Sequence, residues 1–341
     1  MKLNASFCAR RAVRVREAQS TGNKSPIQDK KRDMTTHTEK IGFIGLGRMG
    51  RPMAINLIKK GFDLVVLDIH PDAVASVTAA GAKAGASIVD IANRCGIIVT
   101  MLPSSVEVET VCMGQHGIFA NAQKGALLMD MSTIDPLATD RLNAAAIAHG
   151  MTMADAPVGR LAEHADRAES LFMIGASDAD FARLKPLMEA MGNAIYHCGA
   201  VGTGGRTKLV NNYVAITLTQ VNGEALALSQ RFGLDLVKTM QVLLGTSANN
   251  GQLRMNFPSK VLAGDTTPGF TIDLAHKDMS LIVNSAHAAK VPMPVAAAVR
   301  ESFSLARAGE HGGLDFSCIA DVMCENARIE KPRVPKGWRP V

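Results

Sequence analysis

A glycine-rich hexapeptide after a short apolar run constrains this chain more than any other feature. Residues 40–46 predict a buried strand, because the run is short and almost continuously apolar. Residues 45–50, Gly-Leu-Gly-Arg-Met-Gly, overlap the end of that strand and open a segment of helical period that ends at Gly61. Between a strand and a helix, the G-x-G-x-x-G spacing predicts a dinucleotide-binding turn.

The three glycines of this turn have separate roles in the prediction. The first allows a tight turn, the second lets the backbone approach a pyrophosphate, and the third allows close packing of helix on strand. The start of the helix presents free N–H groups and a partial positive charge to the phosphates. The predicted cofactor contacts of the turn are Gly45, Leu46, Gly47, Arg48, Met49 and Gly50.

The second predicted strand, residues 63–68, ends with Asp68, which stands 23 residues after Gly45. An acid at this place accepts hydrogen bonds from the ribose hydroxyls of NAD and repels the 2′-phosphate of NADP. The predicted cofactor is therefore NAD, with NADP less favoured. A loop acid after a strand is otherwise ordinary, so Asp68 supports this prediction only together with the turn.

Strands and helices alternate through residues 40–199. Further predicted strands lie at residues 96–103, 125–133 and 151–158, and their apolar residues leave no polar face. Such strands are typical of a parallel sheet that helices cover on both sides. We therefore predict an α/β Rossmann domain with a doubly wound parallel sheet over residues 40–199, which would bind NAD.

The pattern changes at a glycine-rich stretch, residues 199–205. Residues 206–233 form one long segment of helical period, and further helical segments follow without a strand pattern. We predict an all-α C-terminal domain over residues 200–330, followed by a C-terminal tail, residues 331–341.

The basic character of the chain lies in residues 1–39. They hold nine Lys or Arg and four Asp or Glu, so the body carries only +1 of the net charge of +6. The body has no basic stripe with interleaved aromatics, which argues against a nucleic-acid partner. It also has no apolar run of the roughly 20 residues that a membrane helix needs, which argues against a membrane partner.

We expect residues 1–39 to be a disordered tail or the result of a mis-assigned start, with Met34 as the true start. The first 16 residues contain four arginines and no acid, so mitochondrial targeting is an alternative to a cytoplasmic location. The six cysteines show neither a C-x-x-C pair nor zinc-finger spacing. We therefore expect a reducing compartment and no metal site.

Six motifs in order give the chain its resemblance to a known family. They are FIGLGRMGRPMAINLIKKG (43–61), TMLPS (100–104), DMST (130–133), DAPV (155–158), KLVNN (208–212) and HKD (276–278). Over residues 40–328 the chain resembles the β-hydroxyacid dehydrogenases, the family of 3-hydroxyisobutyrate dehydrogenase and tartronate semialdehyde reductase. The resemblance implies that the helical domain, residues 200–330, binds substrate and forms the contacts of a homodimer or homotetramer.

The resemblance also implies roles for residues of the cofactor site. It implies that Leu102 and Pro103 line the cofactor and that Thr133 lies near the nicotinamide and the substrate. It implies that Lys277 reaches the cofactor or the substrate from the second domain.

The resemblance makes Lys208 the catalytic residue, with Asn212 beside it. Positions i and i+4 share one face of the long predicted helix, which begins at the domain boundary, where clefts form. A lysine in a partly dry cleft has a lowered pKa and can donate a proton near neutral pH. A lysine near a helix start is otherwise most often a solvated surface residue, and the motif order decides against that alternative.

Gly159 and Arg160 depart from the family, which carries DAPVSGG where this chain has DAPVGRL. The change removes a hydroxyl and adds a cation with five N–H donors, which suits a carboxylate, a sulfonate or a phosphate. An arginine that points outward and pairs with Glu163 or Asp166 is the alternative. The predicted substrate contacts are Gly159, Arg160, Asn211 and Thr133.

PVGR and residues 245–278 are most similar to one branch of the family, the sulfolactaldehyde reductases, some of which also resemble 4-hydroxybutyrate dehydrogenases. That branch carries a serine where Ala215 stands here, one turn after Asn211. Arg254 and Asn250 are the candidates to compensate for the missing hydroxyl.

These residues predict an NAD-dependent oxidoreductase that interconverts a small anionic aldehyde, of the sulfolactaldehyde or succinic semialdehyde type, and its alcohol. Lys208 would be the general acid and base. The alternatives are a 3-hydroxyisobutyrate dehydrogenase or tartronate semialdehyde reductase, an imine reductase, whose relatives usually lack the lysine, and a non-catalytic dinucleotide-binding module. A broken glycine motif or a missing Lys208 would indicate the last, and both are intact.

Overall fold

A mostly parallel sheet of nine strands forms the first half of the described chain. The computed structural model describes residues 39–340, which belong to one folded unit. The expectations for residues 1–38, including the start at Met34, lie outside the described residues. The strands are β1 (Ile41–Ile44), β2 (Leu64–Leu67), β3 (Lys83–Ala84), β4 (Ile97–Thr100), β5 (Leu127–Asp130), β6 (Thr152–Asp155), β7 (Val158–Gly159), β8 (Ser170–Gly175) and β9 (Gly192–Gly199).

The centre of the sheet has the predicted doubly wound arrangement. Neighbouring strands follow the order β3-β2-β1-β4-β5-β6-β8-β7, with β9 beside β8. β1 pairs in parallel with β2 and with β4, and parallel pairing continues through β5 to β6. β1, β4 and β5 are buried along their whole length, because helices cover both faces. The predicted Rossmann fold is confirmed.

Helices flank the sheet and pack against each of its faces through apolar side chains. On one face Phe43 of β1 belongs to a buried cluster with Leu57 and Met188. On the other face Ile98 of β4 belongs to a cluster with Leu142. These helices are α1 (Gly50–Lys59), α2 (Pro71–Thr78), α3 (Ile88–Arg94), α4 (Ser105–Met113), α5 (Ile118–Asn121), α6 (Pro136–Ala148), α7 (Ala162–Asp166) and α8 (Asp178–Met191).

One edge of the sheet departs from the predicted parallel order. β8 runs antiparallel to β6 and to β7, and β9 runs parallel to β8 with register shifts. β7 has only two residues and β9 is partly exposed along most of its length, so neither shows an apolar pattern. β8 is a buried apolar strand of six residues that the predicted strand order omitted. β7 ends at Gly159, so Arg160 directly follows a strand at the edge of the sheet.

The second half of the chain is helical, as predicted. Helix α9 (Thr203–Arg231) has 29 residues, and the later helices pack around it. Beyond β9, the described residues form only an isolated bridge between Thr271 and Asp315 and no strand. The later elements are α10 (Leu236–Gly245), a π-helical segment (Gln252–Asn256), α11 (Phe257–Ser259), a 3₁₀ turn (Val261–Ala263), α12 (Ile272–Ala288), α13 (Pro294–Ala308), a second 3₁₀ turn (Phe316–Cys318) and α14 (Ile319–Ala327).

Helix α9 begins at Thr203, earlier than predicted, because Asp155 at the end of β6 satisfies its first N–H groups. The Asp155 carboxylate accepts hydrogen bonds from the N–H groups of Gly202 at 2.5 Å and Gly205 at 2.6 Å. A Cβ on Gly204 would lie 2.6 Å from the carbonyl oxygen of Asp155. The sheet and the helical half therefore meet where Asp155 contacts residues 202–205, a contact called the joint below. This joint has no room for a side chain at position 204.

Residues 331–340 carry no helix or strand and lie against the helical half. Two nitrogens of the Arg333 guanidinium donate to the Asp321 carboxylate at 2.7 and 2.6 Å. Trp338 packs beside a buried cluster that includes Phe257. The domain boundaries placed at residues 199–200 and 330–331 stay predictions.

Replacing Gly204 by alanine is expected to lower the free energy of unfolding by about 2–3 kcal/mol, because the backbone atoms around the new Cβ cannot move aside. The neighbouring Gly205→Ala is the matched control, since its Cβ would meet only Asp155 Oδ2, at 3.4 Å. The free energy of unfolding in urea of the two variants checks this. Equal losses would contradict the steric account.

Candidate active site

Each glycine of the turn at residues 45–50 has different surroundings. Gly45 has a φ of +98°, and a Cβ there would collide with the backbone carbonyl of Met101. A Cβ on Gly50 would collide with the Gly45 carbonyl, whereas one on Gly47 would meet no protein atom within 4 Å. Packing therefore explains two of the glycines. Close approach of a pyrophosphate explains the third, so the turn fits a dinucleotide.

Asp68 lies against this turn. Its Oδ2 accepts a hydrogen bond from Leu46 N at 2.6 Å, and its Oδ1 accepts one from His70 N at 2.8 Å. These bonds fix the carboxylate at the end of β2, and each oxygen keeps a lone pair for a ribose hydroxyl. Asp68 therefore lies where the prediction requires, and its selection of NAD over NADP stays a prediction.

A buried polar network joins the ends of β4 and β5. Asp130 Oδ1 accepts hydrogen bonds from Thr100 Oγ1 at 2.8 Å and Ser132 N at 3.1 Å. Ser132 Oγ accepts one from Leu102 N at 2.9 Å. Burial raises the pKa of Asp130, and its hydrogen bonds to Ser132 and Thr100 oppose the rise. The network holds in place the two segments that carry predicted cofactor contacts.

Lys277 of α12 ties these segments to the helical half. Its Nζ donates to the carbonyls of Thr133 at 2.8 Å and Pro103 at 3.3 Å. The same Nζ lies 3.1 Å from Asp278 Oδ1. The structure thus brings together three predicted contacts that the sequence places far apart.

Lys208 is buried on α9, with 9% of its surface exposed. Its Nζ donates a 2.6 Å hydrogen bond to the carbonyl of Val158, where β7 begins. Burial lowers the pKa of Lys208, the Asp278 carboxylate opposes this, and the Lys277 ammonium adds to it. The alternative of a solvated surface lysine is therefore wrong.

Asn212 connects α9 to α12. Its Nδ2 donates to Asp278 Oδ2 at 2.6 Å, and its Oδ1 accepts from Asn211 Nδ2 at 3.1 Å. Asp278 and Asp155 are buried acids that hold the site together, and neither was among the predicted site residues. Both stand inside motifs that carry the family resemblance, HKD (276–278) and DAPV (155–158), and their place in those motifs is the signal that could have found them.

Lys208 and Asn212 line a cavity of about 500 Å³ between α9, the loop after β7 and the π-helical segment. Its wall combines apolar side chains with a small number of polar groups, as ligand sites do. The polar side chains on the wall include those of Arg160, Lys208, Asn211, Asn212 and Gln252.

Arg160 has a left-handed backbone, with a φ of +71°, and it is one of the residues that line this cavity. Its Nη1 donates to the Glu169 carbonyl at 2.5 Å and to Asn193 Oδ1 at 2.6 Å. Within residues 39–340 it forms no ion pair with Glu163 or Asp166. The hydrogen bonds hold one edge of the guanidinium and leave Nε and Nη2 for other partners.

Only some of the other predicted substrate contacts line the cavity. Asn211 does, whereas Gly159 and Thr133 are not among the described residues that line it. Arg254 and Asn250, the candidates to compensate for a hydroxyl at position 215, are absent from that wall as well. The substrate roles of Gly159 and Thr133 stay predictions.

Residues 39–340 contain neither a metal-binding cluster nor a membrane-spanning helix. No group of three or more His, Cys, Asp or Glu side chains there is arranged to hold a metal ion. None of the described helices combines the length and the apolar character that crossing a membrane requires.

Known proteins resemble the chain over both halves. The NAD-binding domain of 6-phosphogluconate dehydrogenase matches residues 40–199, and the NAD-binding domain of NADP-dependent 3-hydroxyisobutyrate dehydrogenase matches residues 202–323. The chain is 40% identical over 281 residues to 3-sulfolactaldehyde reductase of Escherichia coli K12, covering 82% of this chain and 94% of that protein. It is 36% identical over 284 residues to 2-(hydroxymethyl)glutarate dehydrogenase of Eubacterium barkeri, covering 83% and 94%.

Among solved structures, a Mycobacterium tuberculosis 3-hydroxyisobutyrate dehydrogenase with L-serine superposes with a TM-score of 0.78 at 29% identity, covering 84% of this chain and 99% of that one. The chain belongs to the 3-hydroxyisobutyrate dehydrogenase-like family of β-hydroxyacid dehydrogenases. It is an NAD(P)-dependent oxidoreductase that binds NAD. The non-catalytic alternative is therefore set aside.

Asp68→Asn is expected to lower the preference for NADH over NADPH at least about tenfold, because it removes the charge that repels a 2′-phosphate. Asparagine keeps an acceptor for Leu46 N, so the turn should stay intact. Asp72→Asn, on the exposed first turn of α2, removes an equal charge nearby and is the control. The ratio of kcat/KM for the two cofactors is the measurement, and equal ratios in wild type and Asp68→Asn would exclude Asp68 as the selector.

Proposed function

We propose that the protein interconverts a short aldehyde carrying a distal anionic group and the corresponding alcohol, with Lys208 as general acid and base. Sulfolactaldehyde and succinic semialdehyde are examples of such aldehydes. The observation that carries the proposal is one cavity lined both by the buried Lys208 and by Arg160, which forms no ion pair within residues 39–340. The 40% identical 3-sulfolactaldehyde reductase supports this substrate class.

The glycine turn at residues 45–50 and Asp68 would hold the nicotinamide cofactor, which would supply the hydride for reduction of the carbonyl carbon and accept it in the reverse direction. Lys208 acts on the substrate oxygen. As the C–H bond forms, negative charge grows on that oxygen, and the ammonium of Lys208 gives it a proton. In the direction of alcohol oxidation the neutral amine takes the hydroxyl proton back.

Two neighbouring groups and its burial prepare Lys208 for this role. The Val158 carbonyl holds its Nζ in place, and burial makes its proton easier to release. Asn212, fixed between Asn211 and Asp278, presents a rigid amide on the same face of α9. The lysine is therefore aligned before the substrate arrives, which favours the reaction.

Arg160 and Asn211 would hold the anionic end of the substrate. Arg160 keeps Nε and Nη2 free of hydrogen bonds within the described residues, and Asn211 Nδ2 uses one N–H on Asn212. A guanidinium and an amide together suit the oxygens of a sulfonate or a carboxylate. With the anion held there, the aldehyde at the other end of the molecule lies toward Lys208.

Lys208→Ala is expected to lower kcat for reduction by about 100- to 10,000-fold, the usual contribution of a general acid, with the affinity for NADH unchanged. In wild type, kcat/KM for reduction should fall as pH rises through the lowered pKa of Lys208, because the ammonium is the acid. The rate of oxidation should rise over the same range, because the neutral amine is the base. A Lys208→Ala enzyme with full turnover would contradict the mechanism.

Arg160→Gly is expected to lower kcat/KM for the sulfonate or distal carboxylate substrate about 10- to 100-fold, the effect of losing a hydrogen bond to a charged group. Glycine accepts the left-handed backbone at this position, so the change adds no strain. The assay compares sulfolactaldehyde, succinic semialdehyde, tartronate semialdehyde and methylmalonate semialdehyde with NADH and NADPH. A wild-type preference for either of the last two aldehydes, unchanged in the variant, would instead favour an ordinary β-hydroxyacid dehydrogenase.

We further propose a homodimer or homotetramer built through the helical half. Val210 and Leu228 on α9 are 68% and 53% exposed. An apolar cavity of about 810 Å³ lies beside the same helix, between Leu137, Tyr213 and Ile282. Apolar surfaces of this kind are typical of protein interfaces. Sedimentation equilibrium of the purified chain tests the proposal, and a monomer at micromolar concentration would contradict it.

We place the protein in the cytoplasm. The cysteines within residues 39–340 are free thiols, which is typical of a reducing compartment. Mitochondrial import through residues 1–39 is the alternative. Fractionation of cells that express the full chain with a C-terminal tag distinguishes the two locations.

A further inference from the structure

One part of the cavity wall between the helices has no polar side chain on α9. Ala215 follows Asn211 by one turn, so the two residues lie on the same face of α9, and both line the cavity. The methyl group of Ala215 offers no hydrogen bond. An anion held by Arg160 and Asn211 would therefore face an apolar gap at this point unless another element supplies a donor.

Gln252 closes this gap from the π-helical segment. Its Nε2 donates to the Ala215 carbonyl at 3.3 Å, and its side chain lines the same cavity. The amide of Gln252 therefore lies beside Ala215, at the next turn of α9 after Asn211.

The backbone around Gln252 is held by Asn250. Asn250 Oδ1 accepts hydrogen bonds from the N–H groups of Gln252 at 3.1 Å and Leu253 at 3.2 Å. The side chains of Asn250 and Asn222 of α9 also pair through both amides, at 3.0 and 3.1 Å. Asn250 thus positions Gln252 relative to α9 without reaching the cavity itself. Single-turn π-helices of this kind occur frequently at functional sites.

The hydrogen-bond count leaves Gln252 a donor for a ligand. A primary amide nitrogen carries two protons, and Nε2 uses one of them on Ala215 within the described residues. Asn211 Nδ2 is in the same position, with one proton used on Asn212. Arg160 keeps Nε and Nη2 unused among these residues.

We propose that Gln252 is a specificity-determining residue, the third donor of the site that binds the anionic end of the substrate, together with Arg160 and Asn211. The three residues come from different parts of the fold: the loop after β7, the face of α9 and the π-helical segment. Three converging donors match the three oxygens of a sulfonate better than the two of a carboxylate. This inference rests on the proposed function and narrows its substrate class to terminal sulfonates before carboxylates.

The test uses Gln252→Met, which has similar length and volume but no N–H donor, and Gln252→Glu, which puts a negative charge in the same place. With NADH, Gln252→Met should raise KM for sulfolactaldehyde roughly tenfold or more, with kcat changed by less than about threefold, because the lost bond acts on binding. Gln252→Glu should raise it further. The kcat/KM for propanal, which has no anion, should stay at the wild-type value in both variants.

A second substitution tests whether a donor at this place in the cavity, rather than glutamine itself, is what the sulfonate requires. Adding Ala215→Ser to Gln252→Met puts a hydroxyl donor on α9 next to Asn211, and it should lower KM for the sulfonate back toward wild type. Arg254→Ala is the control for charge and for the segment, since Arg254 donates to Asn249 and does not line the cavity. Its KM should match wild type. Thermal unfolding of each variant verifies that the fold is kept.

The outcomes separate the two proposals. If wild type reduces sulfolactaldehyde and Gln252→Met has an unchanged KM, or loses propanal activity equally, this inference is wrong and the proposed function stands. If wild type reduces propanal or other uncharged aldehydes but no anionic aldehyde, the proposed function fails, and this inference fails with it. Inhibition of wild type and variant by propane-1-sulfonate gives the same comparison without turnover.

Discussion

The hydrogen bonds between the Asp155 carboxylate and the start of α9 determine where Lys208 lies. Asp155 ends β6, and its two oxygens accept from the N–H groups of Gly202 and Gly205. Burial raises the pKa of this carboxyl to about 6, while the bonds from Gly205 and Gly202 oppose the rise. Lys208 follows on the next turn of α9, and its Nζ returns to the carbonyl of Val158. The sheet therefore fixes both the helix and the side chain that the helix carries.

A second connection, from α12, places a carboxylate and a cation near the buried Lys208, and both act on its pKa. Lys277 spans the gap to the sheet through the carbonyls of Thr133 and Pro103, and Asp278 beside it binds Asn212. One cation and one carboxylate thus lie near Lys208 with opposite effects on its pKa, and burial decides the direction. A buried ammonium without a nearby acid would lose its proton too readily to act as a general acid, because charge burial is so unfavourable. The start of α9 therefore fixes the position of Lys208, and α12 supplies the two charges that act on its pKa.

The sequence was sufficient for features that depend on local pattern and insufficient for those that depend on tertiary contact. The glycine turn, the central strands and the long helix follow from periodicity and spacing, and the structure has each of them. The edge strands β7 and β9 are short or half-exposed, so they lack an apolar pattern. The start of α9 depends on a carboxylate far away in sequence, Asp155. Gln252 lies beside Ala215 only because the chain folds back onto α9, and no spacing in the sequence indicates this.

The backbone conformation of Arg160, with a φ of +71°, bears on the role proposed for its side chain. A non-glycine residue in the left-handed region costs about 1–2 kcal/mol, and the family pattern has a glycine at this position. The hydrogen bonds of Nη1 to Glu169 and Asn193 offset part of that cost, yet they are also what fixes the direction of the guanidinium. Strained backbone of this kind clusters at ligand-binding sites, and Arg160 lies at the wall of a ligand-sized cavity. In the function proposed above, a mobile arginine would lose more side-chain entropy on binding an anion, so the two hydrogen bonds of Nη1 would lower the entropy cost of binding.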